Sequence, residues 1–176
     1  MKRTIAIVLA VVLAIGTAMA QQPQHHHQNC PHGHQCQRAN GPQVNADGIE
    51  VTLAAAFPQA KSVKKAEKWT EVYNAGGKLI GYALYSKPAS DGIKGYNGET
   101  PVLIAFNAKK VIIGVYAMPN SETPSYARRV KDAGFYDNWN GLTVKKALKK
   151  KVDTVSGATF TSSAVARSVE AALKTL

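Results

Sequence analysis

The stretch PVLIAFNAKKVIIGVYAM, residues 101–118, has a strong strand pattern. It contains two almost uninterrupted apolar runs, PVLIAFN and KVIIGVYAM, separated by a short polar break at Ala108 and Lys109. Apolar runs of this length that are rich in β-branched residues predict strands, and the short break predicts that they form a hairpin. Because both runs are apolar throughout, we expect two central strands covered on both faces of a sheet.

The residues before this hairpin predict one helix and two further strands. The segment DGIEVTLAAAF, residues 47–57, places Ile49, Leu53 and Phe57 on one helical stripe, and Pro58 ends it. The segment 69–87 predicts two strands around a turn at Gly76 and Gly77.

The residues after the hairpin have helical patterns. A helix is predicted within 121–139 and ends near Gly134, and a short basic helical segment follows within 142–152. A final helix is expected to begin near Ser162, with one apolar face formed by Val165, Val169, Ala172, Leu173 and Leu176. Residues 46–176 are thus predicted to form a single α+β domain, in which a mostly antiparallel sheet of four or five strands packs against helices.

The N-terminal residues have the pattern of an export signal. Residues 1–20 combine a basic start, an apolar run and an Ala18-Met19-Ala20 cleavage pattern, as in a secretory signal peptide. An uncleaved membrane anchor is the alternative, because the apolar run approaches the length that spans a bilayer. Export predicts a periplasmic or other extracytoplasmic location.

Residues 21–45 are rich in Gln, His, Asn and Pro and predict a flexible linker. Every histidine and cysteine of the chain lies in this linker, so the following domain contains no Ser-His or Cys-His nucleophile. These side chains suit a divalent metal such as zinc, copper or nickel, and a metal-binding protein is therefore the alternative function. A disulfide between the two cysteines, or a solvated linker, is also compatible with the pattern. The candidate ligands are His25, His26, His27, Cys30, His32, His34 and Cys36.

The chain is strongly basic, with a formal net charge of +11, or +9 without Lys2 and Arg3. Such a charge suits nucleic acid, an anionic membrane surface or acidic protein partners. The expected export and the lack of a basic patch interleaved with aromatic residues argue against nucleic acid. The densest lysine cluster, within residues 145–151, is predicted to be a solvated helix face.

Small hydroxyl and glycine residues are crowded before the final helix. Six of the eight residues 156–163 are Ser, Thr or Gly. A helix N-terminus offers free N–H groups and the positive end of the helix dipole, so this segment is a candidate phosphate site. Helix capping alone would also explain the composition. A Walker loop is excluded, because no Gly-Lys-Ser/Thr ending is present.

Several ordered motifs resemble the FMN-binding domain family, the covalent flavin modules of Na⁺-translocating NADH:quinone oxidoreductase and Rnf-type complexes. The resemblance covers about residues 49–176. Its motifs are Phe-Pro-x-Ala at 57–60, GKLIGY at 77–82, GYNG at 95–98, ETP at 122–124 and D-x-x-S-G-A-T-x-T-S at 153–162. Two positions depart from many relatives, which have Gly where this chain has Asn97 and Ser125.

The resemblance implies where a flavin would be held. In this family a flavin transferase uses FAD to attach FMN, through its phosphate, to the last threonine of the signature, which is Thr161 here. The resemblance further implies that the ETP loop lies beside the flavin ring. The implied cofactor-binding residues, besides Thr161, are Ser156, Gly157, Ala158, Thr159, Ser162, Glu122, Thr123 and Pro124.

The implied function is electron transfer. We expect an exported carrier that exchanges electrons with a membrane-bound electron-transfer complex or an acidic redox partner, because the flavin performs the redox chemistry. The domain has no histidine for proton transfer and the chain has no second nucleotide-binding domain. An electron-transfer module is therefore favoured over a self-contained enzyme.

Overall fold

The computed structural model describes residues 44–46 and 48–176. Its centre is a five-stranded antiparallel sheet in which neighbours in sequence are neighbours in space. The strands are β1 (Ser62–Lys65), β2 (Thr70–Tyr73), β3 (Leu79–Tyr85), β4 (Val102–Asn107) and β5 (Ile112–Ala117). The α+β class predicted from the sequence is confirmed.

The stretch 101–118 forms the β4–β5 hairpin, and only one of its strands is central. β4 is buried on both faces, as predicted from its continuous apolar run. The prediction for β5 was wrong, because this strand lies at the edge of the sheet. Residues 141 and 142 cover this edge, which explains the apolar residues of β5. Ile112 N–H donates to the Leu142 carbonyl at 2.9 Å, and Gly141 N–H donates to the Ile112 carbonyl at 2.8 Å. At the opposite edge, β1 consists of exposed residues and has no apolar pattern that could predict it.

Helices pack on both faces of the sheet because side chains alternate along each strand. On one face, α1 (Val51–Ala56) buries Leu53 and the following Phe57 against β2, β3 and β4. Gly81 of β3 has no side chain at this contact, and a Cβ there would lie 2.6 Å from the Phe57 ring. Ile49, Leu53 and Phe57 of the predicted stripe are all buried, but Ile49 and Phe57 lie outside α1, which is shorter than predicted.

The other face is covered by the elements that follow β5. These are α2 (Pro124–Asp132), a 3-10 helix (Phe135–Trp139), α3 (Val144–Ala147) and α4 (Thr159–Leu173). The predicted apolar face of the last helix is confirmed, because its residues pack into the cluster around Ile104, Phe106 and Ile112. Gly134, with a φ of 63°, ends α2 as expected.

The prediction for the start of the last helix was wrong. α4 begins at Thr159, with Ala158 as the N-cap residue, and not near Ser162. Thr161 and Ser162 are therefore in its first turn. The five lysines of the 145–151 cluster are exposed, as predicted, but only Lys145 and Lys146 lie in a helix, α3. No helix in the described part of the chain has the length and apolar character needed to cross a membrane.

Candidate functional site

The N-terminus of α4 leaves three backbone donors free. The first helical bond runs from Ser162 N–H to the Ala158 carbonyl at 2.9 Å. Among the described residues, no acceptor receives the N–H of Thr159, Phe160 or Thr161, and no side chain caps the helix. These N–H groups, together with the positive end of the dipole of a 15-residue helix, provide the elements of an anion site.

Thr161 is the unusual residue of this turn. Its side chain is 2% exposed, and its hydroxyl has no hydrogen-bond partner within the described part of the chain. An unpaired buried hydroxyl costs about 1–3 kcal/mol, so the fold gains nothing from this polar atom in the present structure. The hydroxyls of Thr100 and Ser168 are also buried and unpaired, but neither belongs to a helix N-terminus.

The neighbouring Ser162 has a different role. Its Oγ accepts a hydrogen bond from Val155 N–H at 3.0 Å and lies 3.0 Å from the Ala158 carbonyl, to which the hydroxyl can donate. Ser162 thereby closes the turn that leads into α4. Because its hydroxyl is already satisfied within the fold, Ser162 is a poor candidate for a bond to an external group.

Glu122 joins the GYNG loop to the ETP loop. This carboxylate is 6% exposed and accepts three backbone N–H bonds, from Tyr96 at 2.8 Å, Asn97 at 3.0 Å and Thr123 at 2.8 Å. Asn97 also donates through its side-chain amide to the Ser121 carbonyl at 2.8 Å. Glu122 therefore fixes the 95–98 loop to the ETP loop, a positioning role that the sequence did not reveal.

Gly95 lies at the point where the GYNG loop, the ETP loop and the start of α4 meet. A Cβ at this position would lie 2.0 Å from Oε2 of Glu122 and 3.2 Å from Cα of Thr161. Only glycine allows the loop backbone to approach both residues so closely. The 95–98 loop therefore packs directly against the backbone of Thr161.

The remaining ETP residues start a helix. Thr123 is the N-cap residue of α2 and Pro124 occupies its first turn, which suits a residue without an N–H group. Ser125 is helical, so this position of the chain does not require a glycine. Asn97 likewise has no left-handed backbone conformation.

Two exposed aromatic side chains flank this region in sequence. Tyr96 is 63% exposed and its ring packs edge-to-face on Tyr126, with centroids 4.9 Å apart. Phe160 is 69% exposed and directly precedes Thr161. Exposed aromatic rings beside an anion site suit a ligand that joins a phosphate to a flat ring system.

Three of the residues predicted to bind the cofactor are Ser156, Gly157 and Thr159. Ser156 and Thr159 are exposed and have no side-chain hydrogen bond to another described residue. Gly157 has a φ of 73°, which a residue with a side chain rarely adopts. The sequence missed Arg129 of α2, whose guanidinium contacts Gly157: a Cβ there would lie 2.3 Å from Nη1. No sequence motif places Arg129 near residue 157, because helix packing creates this proximity.

The seven predicted metal ligands of the linker, His25 to Cys36, lie outside the described residues, as does the segment predicted to be a signal peptide. Within the described residues, no group of three or more His, Cys, Asp or Glu side chains is arranged to hold a metal ion.

Comparison with known proteins shows what this domain is similar to. Residues 95–174 match the family model described as FMN-binding domain. The matched segment contains the GYNG, ETP and SGAT motifs, so the resemblance seen in the sequence is confirmed for this part of the chain.

One solved structure that is similar to this chain is the crystal structure of Shewanella oneidensis NqrC. The two are 21% identical, with a TM-score of 0.42, and the match covers 73% of this chain and 70% of that chain. A search of curated proteins gave no match.

Proposed function

We propose that this protein is an electron carrier with FMN attached through a phosphoester to Thr161. The observation that carries the proposal is the buried, unpaired hydroxyl of Thr161 in the first turn of α4, within a domain of the FMN-binding family. A hydroxyl that contributes no bond to the fold is the group that a phosphoester requires.

The residues around Thr161 fit the cofactor. The free N–H groups of Thr159, Phe160 and Thr161 suit the phosphate, while Tyr96 and Phe160 offer aromatic surface to a flat ring system. FMN, when bound, supplies reversible electron transfer, and the protein supplies its position and electrostatic surroundings. Glu122 contributes by holding the 95–98 loop against the site.

Attachment is a transfer of FMN from FAD, catalysed by a flavin transferase. The Oγ1 of Thr161 forms a bond to the phosphorus that bears riboflavin, and the bond from this phosphorus to the bridging oxygen of the pyrophosphate breaks. AMP leaves with that oxygen, and the hydroxyl proton passes to a base of the transferase or to solvent. No atom changes its oxidation state in this step.

The transferase needs access to a hydroxyl that is closed off in this structure. Gly95 packs against Thr161, and Glu122 holds the adjoining loop through the N–H groups of Tyr96 and Asn97. We therefore propose that the 95–98 loop moves aside during attachment.

The charge of the chain suits the proposed partners. The exposed lysines within 145–151 and the net charge, +9 without Lys2 and Arg3, favour an acidic redox partner or a membrane-bound electron-transfer complex. The predicted signal peptide supports an extracytoplasmic location, where a tether would prevent loss of the cofactor.

The test is expression of the full chain with and without a flavin transferase. Covalent flavin is read as fluorescence of the band on a denaturing gel and as an intact mass increased by FMN less one water. We expect incorporation in wild type and in Thr154→Ala, a control that removes an exposed hydroxyl seven residues away, and none in Thr161→Ala. Wild-type protein without added mass after exposure to an active transferase would refute the proposal, as would incorporation in Thr161→Ala.

A further inference from the structure

Arg129 lies against the loop that leads into α4. A Cβ at Gly157 would lie 2.3 Å from Nη1 and 3.2 Å from Cζ of Arg129, so the guanidinium occupies the space that a side chain there would need. Gly157 directly precedes Ala158, the N-cap residue of α4. The fold thus places a permanent positive charge beside the positive end of this helix.

The Arg129 guanidinium has no polar partner within the described part of the chain. Arg129 is exposed, and no hydrogen bond or ion pair joins it to another described residue. It lies in the last turn of α2, where a cation interacts favourably with that helix dipole. Lys131 in the same turn would interact with the α2 dipole equally well, so this interaction does not explain why Arg129 contacts Gly157.

The neighbouring groups are complementary to an anion. They are the free N–H groups of Thr159, Phe160 and Thr161 and the unpaired hydroxyl of Thr161, which is more than nine-tenths buried. Three N–H donors, a hydroxyl and a guanidinium in one region match the needs of a phosphate group, which has several acceptor oxygens and negative charge.

We propose that Arg129 is a positioning residue that, together with the start of α4, forms a phosphate-binding site. The site binds phosphate in the protein without flavin and, on the basis of the function proposed above, holds the phosphate group that becomes joined to Thr161. Arg129 supplies charge and hydrogen-bond donors and takes no part in bond making.

The deciding experiment uses the full chain produced without a flavin transferase and inorganic phosphate as the probe. Thermal unfolding is measured in 50 mM phosphate and in sodium chloride of equal ionic strength, at about neutral pH. Phosphate stabilises many proteins by exclusion from their surface, so variants must be compared. Arg128→Gln is the matched control, because it removes the same charge from the adjacent exposed position of α2.

Phosphate is expected to raise the melting temperature of wild type and Arg128→Gln by about 2–4 °C more than that of Arg129→Gln, as for a ligand present at several times its Kd. Arg129→Lys should retain part of this difference, because it keeps the charge but loses the planar fork. An equal phosphate effect in wild type and Arg129→Gln would overturn the proposal. Melting in chloride shows independently that each variant folds.

A second measurement concerns the flavin itself. The initial rate of flavin incorporation at limiting transferase should fall about tenfold in Arg129→Gln, the effect of losing one charged hydrogen-bonding group, and stay unchanged in Arg128→Gln. Equal rates in wild type and Arg129→Gln would overturn the role of Arg129 in attachment. If wild type incorporates no flavin, the proposed function fails, whereas the phosphate experiment still decides whether the anion site exists.

Discussion

Replacing Thr161 by valine should abolish flavin attachment and at the same time stabilise the protein without flavin. Valine has nearly the same shape as threonine and exchanges the unpaired hydroxyl for a methyl group. The cost of about 1–3 kcal/mol for a buried hydroxyl without a partner is thereby removed, and the helix propensities of the two residues are similar. We expect the free energy of unfolding to rise by about 1 kcal/mol, which corresponds to an increase of about 2–4 °C in Tm.

The measurement is chemical denaturation of full-length protein produced without a transferase. Ser162→Ala is the control, because this hydroxyl accepts from Val155 N–H and lies within hydrogen-bond distance of the Ala158 carbonyl. Its loss should lower the free energy of unfolding by about 1–2 kcal/mol, since a backbone donor loses its acceptor. If Thr161→Val were destabilised by 1 kcal/mol or more, the hydroxyl would have a stabilising partner and the reasoning from its unpaired state would be wrong.

Three further results are expected from the same structure. Gly95→Ala should destabilise the protein by about 2 kcal/mol or displace the 95–98 loop, because its Cβ would lie 2.0 Å from Oε2 of Glu122. The control Gly76→Ala should change the melting temperature little, because its Cβ would lie 3.5 Å from the nearest atom. Similar effects of both changes would contradict the packing argument. Glu122→Gln replaces a carboxylate that accepts three N–H bonds, so amide hydrogen exchange in the loop 95–98 should accelerate several-fold, and unchanged exchange would show that the carboxylate does not hold the loop. Burial and the carboxylate of Glu50 raise the pKa of the Tyr85 hydroxyl. The stability that Tyr85 contributes is therefore complete below the unfolded-state pKa of about 10 and declines as pH rises towards the folded-state value. Tyr85→Phe should resist alkaline unfolding better than wild type in a pH titration monitored by circular dichroism, and an unchanged midpoint would refute this.

The central strands and the main helices could be predicted from the sequence because their signals are local. Each of these signals is contained in one short segment of the chain: the apolar run of β4, the stripe around Leu53 and the apolar face of α4. The position of β5 at an edge was not predictable in this way. Its apolar residues are explained by a cover from residues 141–143, a contact that depends on tertiary structure.

The candidate site was predictable only in part, for a similar reason. The motif around Thr161 is continuous in sequence, and the resemblance to a family predicts a role for it. The start of α4 was misplaced by three residues because Thr159 and Thr161 read as loop residues from their propensities, whereas packing extends the helix to include them. The functions of Glu122 and Arg129 in the architecture depend on contacts with residues more than 20 positions away, and no local pattern encodes them.

The unused donors at α4 support the phosphate site proposed above. Two polar side chains close to this site are satisfied within the fold, since Ser162 closes its own turn and Glu122 accepts three N–H bonds. A chain that can satisfy these neighbours could also have capped α4 with a side chain, which would contribute about 1 kcal/mol to stability. Instead the N-cap residue is Ala158, which has no capping group, and it follows a glycine that allows Arg129 to come close. At this helix start a phosphate would supply acceptors for the free N–H groups, as the proposed attachment of FMN requires.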